Sequence, residues 1–161
     1  MTIQRARGIA LALAALILVA DQATKLWVLH RADFSQGPIA LLPFMDITLV
    51  WNRGISYGLF QADGAGRWVL VGLTMAGIVG LGVWLMRTGA PLVALGVGVI
   101  LGGAAGNLID RVAYGAVVDF VHLNAGGYSW YVFNIADAAI VVGVVLLMWD
   151  AFFAKKPQTP S

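Results

Sequence analysis

The sequence has no cysteine and no glutamate, and these two absences exclude several kinds of chemistry. Without cysteine there can be no disulfide, thiolate metal site or cysteine nucleophile. All eight acidic residues are aspartate, which excludes a His-Glu-x-x-His metal motif. The two histidines, His30 and His122, are too few for a histidine metal cluster. No metal and no cofactor are therefore expected.

Charged residues are scarce as well, at 11% of the chain. The ten lysines and arginines give a net charge of only +2, and they are too scattered to form a nucleic-acid-binding face. Hydrophobic residues instead make up 60% of the 161 residues, and the mean hydropathy is +0.86. A water-soluble protein of this size could not bury so much apolar surface. The composition therefore indicates a small integral membrane protein.

Long apolar segments predict the membrane spans. A helix needs about 20 mostly apolar residues to cross a bilayer. Four segments meet this requirement, at about residues 8–29, 68–86, 90–109 and 131–148. We expect one integral membrane domain over residues 1–154 and a flexible tail at 155–161.

The first apolar segment has an alternative interpretation as a cleavable signal peptide, because Arg5 and Arg7 precede an Ala/Leu-rich run. A cleavage site needs small residues at its last position and two positions before it. Ala20 satisfies the first requirement, but Leu18 does not satisfy the second. The apolar pattern also resumes at residues 26–29, which favours a true span.

Basic residues near both termini predict the orientation of the spans. Clusters of Lys and Arg favour the cytoplasmic side, so we expect both termini in the cytoplasm. The loops at about 31–67 and 110–130 would then lie outside. Residues 47–51 and 117–123 are rich in β-forming side chains, and they predict a small sheet on the outer membrane face.

Small residues at four-residue spacing predict close helix packing. One row is Ala94, Gly98, Gly102 and Gly106 in the third span, and another is Gly72, Ala76 and Gly80 in the second. Packing within one bundle explains both rows, and a monomer is expected.

The polar residues of the spans all fall near one membrane depth, at the outward ends. They are Asp21, Lys25, Asn107, Asp110, Arg111, Asn134 and Asp137, with Asp119 in the adjoining loop. Asp137 is expected about 9 Å along a helix that starts near Tyr131, at about 1.5 Å per residue. An ionisable residue in a membrane is a functional candidate because its burial is costly. The alternative is that Asp21 with Lys25, and Asp110 with Arg111, form ion pairs that only clamp helices.

Asp119 and Asp137 have no Lys or Arg near them in sequence, so we expect each to face the other. Two such carboxylates share one proton, because both cannot ionise at close range. The ionised member can activate a water, and the protonated member can polarise a carbonyl and protonate a leaving amine. This pattern favours peptide hydrolysis without a metal. The sequence contains no Gly-x-Ser-x-Gly motif and no plausible Ser/His/Asp set.

Two other classes of function remain open. Asp21, Lys25 and Asp137 could form the relay of a small ion or proton transporter, although a relay usually needs polar groups through the full membrane depth. A non-enzymatic scaffold held together by the glycine rows would not explain the costly burial of Asn134 and Asp137.

Five motifs, in this order and spacing, resemble those of the lipoprotein signal peptidase (signal peptidase II) family. They are Asp21-Gln-Ala-Thr-Lys25, Asn52-Arg-Gly54-Ile-Ser-Tyr-Gly58-Leu-Phe60, Gly106-Asn-Leu-Ile-Asp-Arg111, Val117-Val-Asp119-Phe120 and Phe133-Asn-Ile-Ala-Asp137. The resemblance covers nearly the whole chain. It departs from the family at Ala138, where many members carry Ser.

The resemblance implies an all-α membrane protein with four transmembrane helices. It also implies a small extracytoplasmic β-cradle at about 44–52 and a short amphipathic helix at about 55–62. The implied activity is that of an aspartyl endopeptidase of the bacterial inner membrane, which removes signal peptides from diacylglyceryl-modified prolipoproteins by cutting before the lipidated cysteine. Membrane lipids and globomycin-type inhibitors are the other implied partners.

The same resemblance assigns roles to residues. It implies that Asp119 and Asp137 are the catalytic pair. The implied supporting or substrate-binding residues are Asp21, Lys25, Asn52, Gly54, Asn107, Asp110, Arg111 and Asn134.

Overall fold

The computed structural model describes residues 1–54 and 65–153. In this part of the chain there are four α-helices, α1 (Ile3–Arg31), α2 (Ala65–Arg87), α3 (Pro91–Tyr114) and α4 (Ile135–Phe153). Each is long and apolar enough to cross a membrane. The predicted bundle of membrane helices is confirmed.

Helix α3 lies at the centre of the bundle, packed mainly against α1 and α4. Glycines allow this close approach: a Cβ added at Gly98 would lie 2.5 Å from the carbonyl oxygen of Ala10. The predicted packing role of the glycine row in α3 is therefore confirmed. The same prediction is wrong for α2, because Gly72 and Gly80 face open space.

Helices α1 to α4 each extend beyond their predicted spans at one end or both, and α1 and α3 show the local reasons. Helix α1 begins at Ile3, where the Thr2 hydroxyl accepts a hydrogen bond from the Arg5 backbone N–H at 3.4 Å. Helix α3 continues past Asp110 and Arg111 to Tyr114, and Gly115 ends it with a left-handed φ of 75°. The polar residues do not end α3, because they have partners inside the protein.

A small antiparallel sheet accompanies the helices. Within the described residues its strands are β1 (Ile39–Leu42), β2 (Met45–Asn52), β3 (Val117–Ala125) and β4 (Tyr128–Phe133), paired in that order. The strands predicted at 47–51 and 117–123 are confirmed, whereas β1 and β4 were not predicted. Phe120 and Ile47 pack beneath the sheet against Val28 of α1.

Strand β4 corrects the start of the last span, which was predicted at residue 131. Tyr131 lies in β4, and α4 begins only at Ile135. Asp137 therefore lies in the first turn of the helix and not about 9 Å along it. The helix expected at 55–62 and the tail expected at 155–161 lie outside the described residues.

Candidate active site

Lys25 is the centre of a buried polar cluster between α1 and α3. Its Nζ lies 2.8 Å from Oδ2 of Asp21, 2.8 Å from Oδ2 of Asp110 and 3.0 Å from Oδ1 of Asn107. All four residues are buried. The expected pair of Asp21 with Lys25 is present, but the ionic partner of Asp110 is Lys25 and not Arg111. Consecutive residues diverge by about 100° around a helix, so Asp110 and Arg111 point in different directions.

The carboxylates of this cluster also bind the neighbouring elements. Oδ1 of Asp21 accepts a hydrogen bond from the Ala136 backbone N–H of α4 at 2.9 Å, and Oδ2 of Asp110 accepts one from the Val118 N–H of β3 at 3.1 Å. Gln22 Nε2 donates to Oδ1 of Asp110 at 3.0 Å. Gln22 was not predicted as a site residue, and its place beside Asp21 in the first motif was the available signal.

Asn134 and Asp137 form a capping box at the start of α4. Oδ1 of Asn134 accepts from the Asp137 N–H at 2.9 Å, and Oδ2 of Asp137 accepts from the Asn134 N–H at 3.3 Å. Their spacing of three residues thus reflects helix capping, which sequence analysis did not recognise. These two hydrogen bonds hold the Asp137 carboxylate at the N-terminus of α4.

Asparagine amides surround the two candidate catalytic carboxylates. Asp119 accepts from Asn134 Nδ2 at 2.7 Å and from Asn52 Nδ2 at 3.0 Å. Asp137 accepts from Asn107 Nδ2 at 2.8 Å. Each carboxylate is therefore oriented by side chains from other elements.

Asp119 and Asp137 line one cavity of about 490 Å³. Asn52, Asn107 and Arg111 contribute to its polar wall. Its remaining lining is mostly apolar or aromatic and includes Ala104, Val117, Trp130, Tyr131, Val132, Phe133, Ile140 and Val141. The cavity thus combines a polar end with an apolar wall.

Arg111 and Gly54 meet beside this cavity. Arg111 Nη2 donates to the carbonyl oxygen of Gly54 at 3.4 Å, and the guanidinium lies within electrostatic range of both Asp119 and Asp137. The expectation that the two carboxylates face each other, with no Lys or Arg near them in sequence, therefore did not include this nearby cation. Helix α3 brings Arg111 close to both carboxylates, although it lies 8 positions before Asp119 and 26 before Asp137 in sequence.

The environment of Asp119 favours its protonated form. Burial and the negative charge of Asp137 raise the pKa of Asp119 to about 7, against the opposing effect of its hydrogen bonds from Asn52 and Asn134 and of the Lys25 charge. At neutral pH this carboxyl can therefore hold or release a proton. Such a group suits general acid–base chemistry.

A Ser/His/Asp arrangement lies on the sheet, although the sequence analysis predicted that the chain has no plausible set of this kind. His122 Nε2 lies 2.6 Å from Oγ of Ser129, and His122 Nδ1 lies 3.4 Å from Oδ2 of Asp46. Strand pairing places Asp46 directly opposite His122, which residue order did not reveal. None of the three is among the residues that line the cavity.

The fold and the site define a multi-pass membrane protein with a carboxylate pair in a partly apolar cavity. Across residues 1–54 and 65–153, no group of three or more His, Cys, Asp or Glu side chains could hold a metal ion. The family model for signal peptidase (SPase) II matches residues 13–153. The chain belongs to the signal peptidase II family.

Individual relatives agree with this assignment. A protein named lipoprotein signal peptidase from Methylorubrum extorquens (strain PA1) is 56% identical over 146 residues, which cover 89% of this chain and 85% of that protein. One of the same name from Nitrobacter hamburgensis is 51% identical over 160 residues, or 96% and 94% of the two chains. A solved bacterial membrane enzyme has a TM-score of 0.80 and 26% identity, and the match covers 95% of each chain.

Proposed function

We propose that this protein is an aspartyl endopeptidase that removes the signal peptide from diacylglyceryl-modified prolipoproteins and cuts before the lipidated cysteine. Membership of the signal peptidase II family and relatives named lipoprotein signal peptidase support the substrate class. The observation that carries the mechanism is that Asp119 and Asp137 line one cavity, with asparagine amides holding their oxygen atoms.

In this mechanism the two aspartates divide the proton transfers. Asp137, ionised, takes a proton from a water that attacks the scissile carbonyl. Asp119, protonated, donates a hydrogen bond to that carbonyl and then passes its proton to the leaving amine as the C–N bond breaks. The proton on Asp137 returns to Asp119 through solvent or product, which restores the starting state.

The other polar residues of the motifs support this pair. Asn52, Asn107 and Asn134 orient the carboxylates through their amide N–H groups. Arg111 places a positive charge in the cavity, where it can stabilise the negative charge that develops on the substrate carbonyl oxygen. Asp21, Asp110 and Gly54 act outside the reacting centre through the hydrogen bonds described above.

The proposed membrane placement puts the site at the extracytoplasmic face of the bacterial inner membrane, with both termini in the cytoplasm. Exposed tryptophans at both ends of the bundle support this placement, because tryptophan is enriched at membrane–water interfaces. They are Trp27, Trp51 and Trp130 at the end that holds the site, and Trp84 and Trp149 at the other end. A substrate held in the bilayer by its lipid would reach this depth from the membrane side. Globomycin-type inhibitors would occupy the same cavity, and the monomer would be sufficient for activity.

A serine hydrolase is the second candidate, because Ser129, His122 and Asp46 have the order of contacts that such enzymes use. Its nucleophile, Ser129, would lie on an exposed part of the sheet and outside the cavity. The transporter alternative is less favoured, since the buried polar residues Asp21, Lys25, Asn107, Asp110, Asp119 and Asn134 gather at one end of the bundle.

Cleavage of a purified prolipoprotein in detergent micelles tests the proposal. The substrate would be supplied with and without its diacylglyceryl group, and wild type would be compared with Asp119→Asn and Ser129→Ala. We expect lipid-dependent cleavage, blocked by globomycin, in wild type and Ser129→Ala but not in Asp119→Asn. Activity that survives Asp119→Asn and disappears in Ser129→Ala would establish the serine mechanism instead.

A further inference from the structure

We propose that Lys25 is a positioning residue for this reaction, whose ammonium group holds the side-chain amide of Asn107 in the one orientation that donates to Asp137. The role in catalysis rests on the proposed peptidase function. The contacts form a continuous chain, with Lys25 Nζ 3.0 Å from Oδ1 of Asn107 and Asn107 Nδ2 2.8 Å from Oδ1 of Asp137.

Donor and acceptor chemistry makes the orientation of Asn107 unique. An ammonium group has three N–H donors and no acceptor, whereas an ionised carboxylate has only acceptors. Rotating the Asn107 amide by half a turn would place its NH2 group against Lys25 and its carbonyl oxygen against Asp137. Both contacts would then be repulsive, so Lys25 and Asp137 together select the observed orientation.

Asn134 is a weaker competitor for the same carbonyl oxygen. Its Nδ2 lies 3.2 Å from Oδ1 of Asn107, but also 2.7 Å from Oδ1 of Asp119 and 3.3 Å from the Val118 carbonyl oxygen. Two amide hydrogens cannot serve three acceptors fully. Lys25 is therefore both the nearer and the charged donor to Asn107.

Lys25 acts through Asn107 and not directly on a substrate. Its ammonium group already has three acceptors, on Asp21, Asp110 and Asn107, and its side chain is only 2% exposed. It is not among the residues that line the cavity, whereas Asn107 and Asp137 are. Of the three side chains that the ammonium group contacts, Asn107 is the one that lines the cavity.

The surrounding charges determine which variant can test this role. Asp21 and Lys25 face the region from α1, Asp110 and Arg111 from α3, Asp119 from β3 and Asp137 from α4. Replacing Lys25 alone would leave Asp21 and Asp110 buried together without their cation, which costs stability by itself. The double variant Lys25→Met/Asp110→Asn keeps the formal charge of the Asp21, Lys25 and Asp110 cluster at its original −1.

Steady-state kinetics on a lipidated prolipoprotein provides the first readout. We expect Lys25→Met/Asp110→Asn to lower kcat by about tenfold or more, the loss of one hydrogen bond to a charged group, with KM changed by less than about twofold. Asp110→Asn alone, which keeps Lys25 on Asn107, measures the contribution of Asp110. The same two variants are then compared in an Asn107→Leu background. There, adding Lys25→Met to Asp110→Asn should lower kcat by less than about a further twofold, because the amide through which Lys25 acts is gone. Losses that multiply, or an unchanged kcat, would overturn the proposal.

A readout that needs no cleavage separates this proposal from the proposed function. Protein containing isotope-labelled asparagine gives an NMR signal for each side-chain amide, and the Asn107 signal is the one absent from Asn107→Leu. We expect that signal to move or broaden in Lys25→Met/Asp110→Asn and to keep its position in Asp110→Asn. An unmoved signal in the double variant would refute the positioning role even if wild type cleaves its substrate. If wild type fails to cleave, the function is refuted, while the signal still decides whether Lys25 orients the amide.

Discussion

The carboxylate of Asp21 caps the start of helix α4 by accepting a hydrogen bond from the Ala136 backbone N–H at 2.9 Å, across 115 positions of sequence. The first turn of a helix has unpaired N–H groups and a partial positive charge, so a buried carboxylate is stabilised there. Ala136 immediately precedes Asp137. Asp21 thus links the buried Lys25 cluster directly to the backbone that carries a proposed catalytic residue.

Gly106→Ala is expected to disrupt this link. A Cβ at position 106 would collide with the Asp21 carboxylate, which is already held by Lys25 and by the Ala136 N–H. We expect a lower melting temperature and a loss of cleavage of about tenfold or more, because an ion pair and a helix cap are strained together. Thermal unfolding in detergent and the cleavage assay would measure the two effects.

Gly72→Ala is the matched control, since a Cβ at Gly72 would meet open space. Alanine is favoured over glycine inside a helix by about 1 kcal/mol, so this variant should be at least as stable as wild type. Equal behaviour of the two variants would show that the close contact at Gly106 is unimportant.

Asp119→Asn and Asp137→Asn should each reduce cleavage by about a hundredfold or more while the protein remains folded. Asparagine nearly preserves the shape of aspartate but cannot exchange the proton, and general acid–base groups contribute about 10²–10⁴-fold. Turnover of lipidated prolipoprotein by the purified variants would measure the loss. Asp33→Asn is the control, because Asp33 is exposed and its carboxylate accepts hydrogen bonds from nearby Ser35, including one from the Ser35 N–H at 2.9 Å. A similar loss in all three variants would argue against a specific dyad.

Residue patterns were sufficient to predict the features that depend on local composition. The bilayer imposes a length on each span, so the apolar runs predict most of the ends of α1 to α4 to within a few residues. The cost of burying charge predicted that Asp21, Lys25 and Asp110 would have partners inside the bundle. Helix direction placed these residues at the same end.

The choice of partners depended on contacts that local sequence does not encode. Lys25 binds Asp110 because α3 is rotated about its own axis so that Asp110 faces α1. The glycine row allows this rotation but does not specify it uniquely. Asp46 meets His122 only through the register of β2 and β3. The start of α4, in contrast, is encoded locally, since Asn134 and Asp137 have the spacing of a capping box.

Stability should depend on pH through Asp119. Its pKa is raised from 3.8 to about 7 in the folded protein, mainly by burial. Its contribution to stability is therefore fully present below about pH 4 and is lost as pH rises through about 7, because the folded state binds the proton more tightly than the unfolded state. We expect the melting temperature of wild type to fall more steeply between about pH 5 and pH 8 than that of Asp119→Asn. Parallel curves for the two proteins would contradict the raised pKa.

Activity should decline on the alkaline side for the same reason. If Asp119 donates the proton to the leaving amine, the active form disappears as this carboxyl ionises, and its pKa is about 7. The expected kcat profile therefore falls about tenfold for each pH unit above this value, once chemistry limits the rate. Lipidated prolipoprotein cleavage measured in buffers of constant ionic strength would give the profile, with Asp33→Asn again as the control. A rate that stays constant to about pH 9 would exclude Asp119 as the proton donor and leave Asp137 to supply the proton instead.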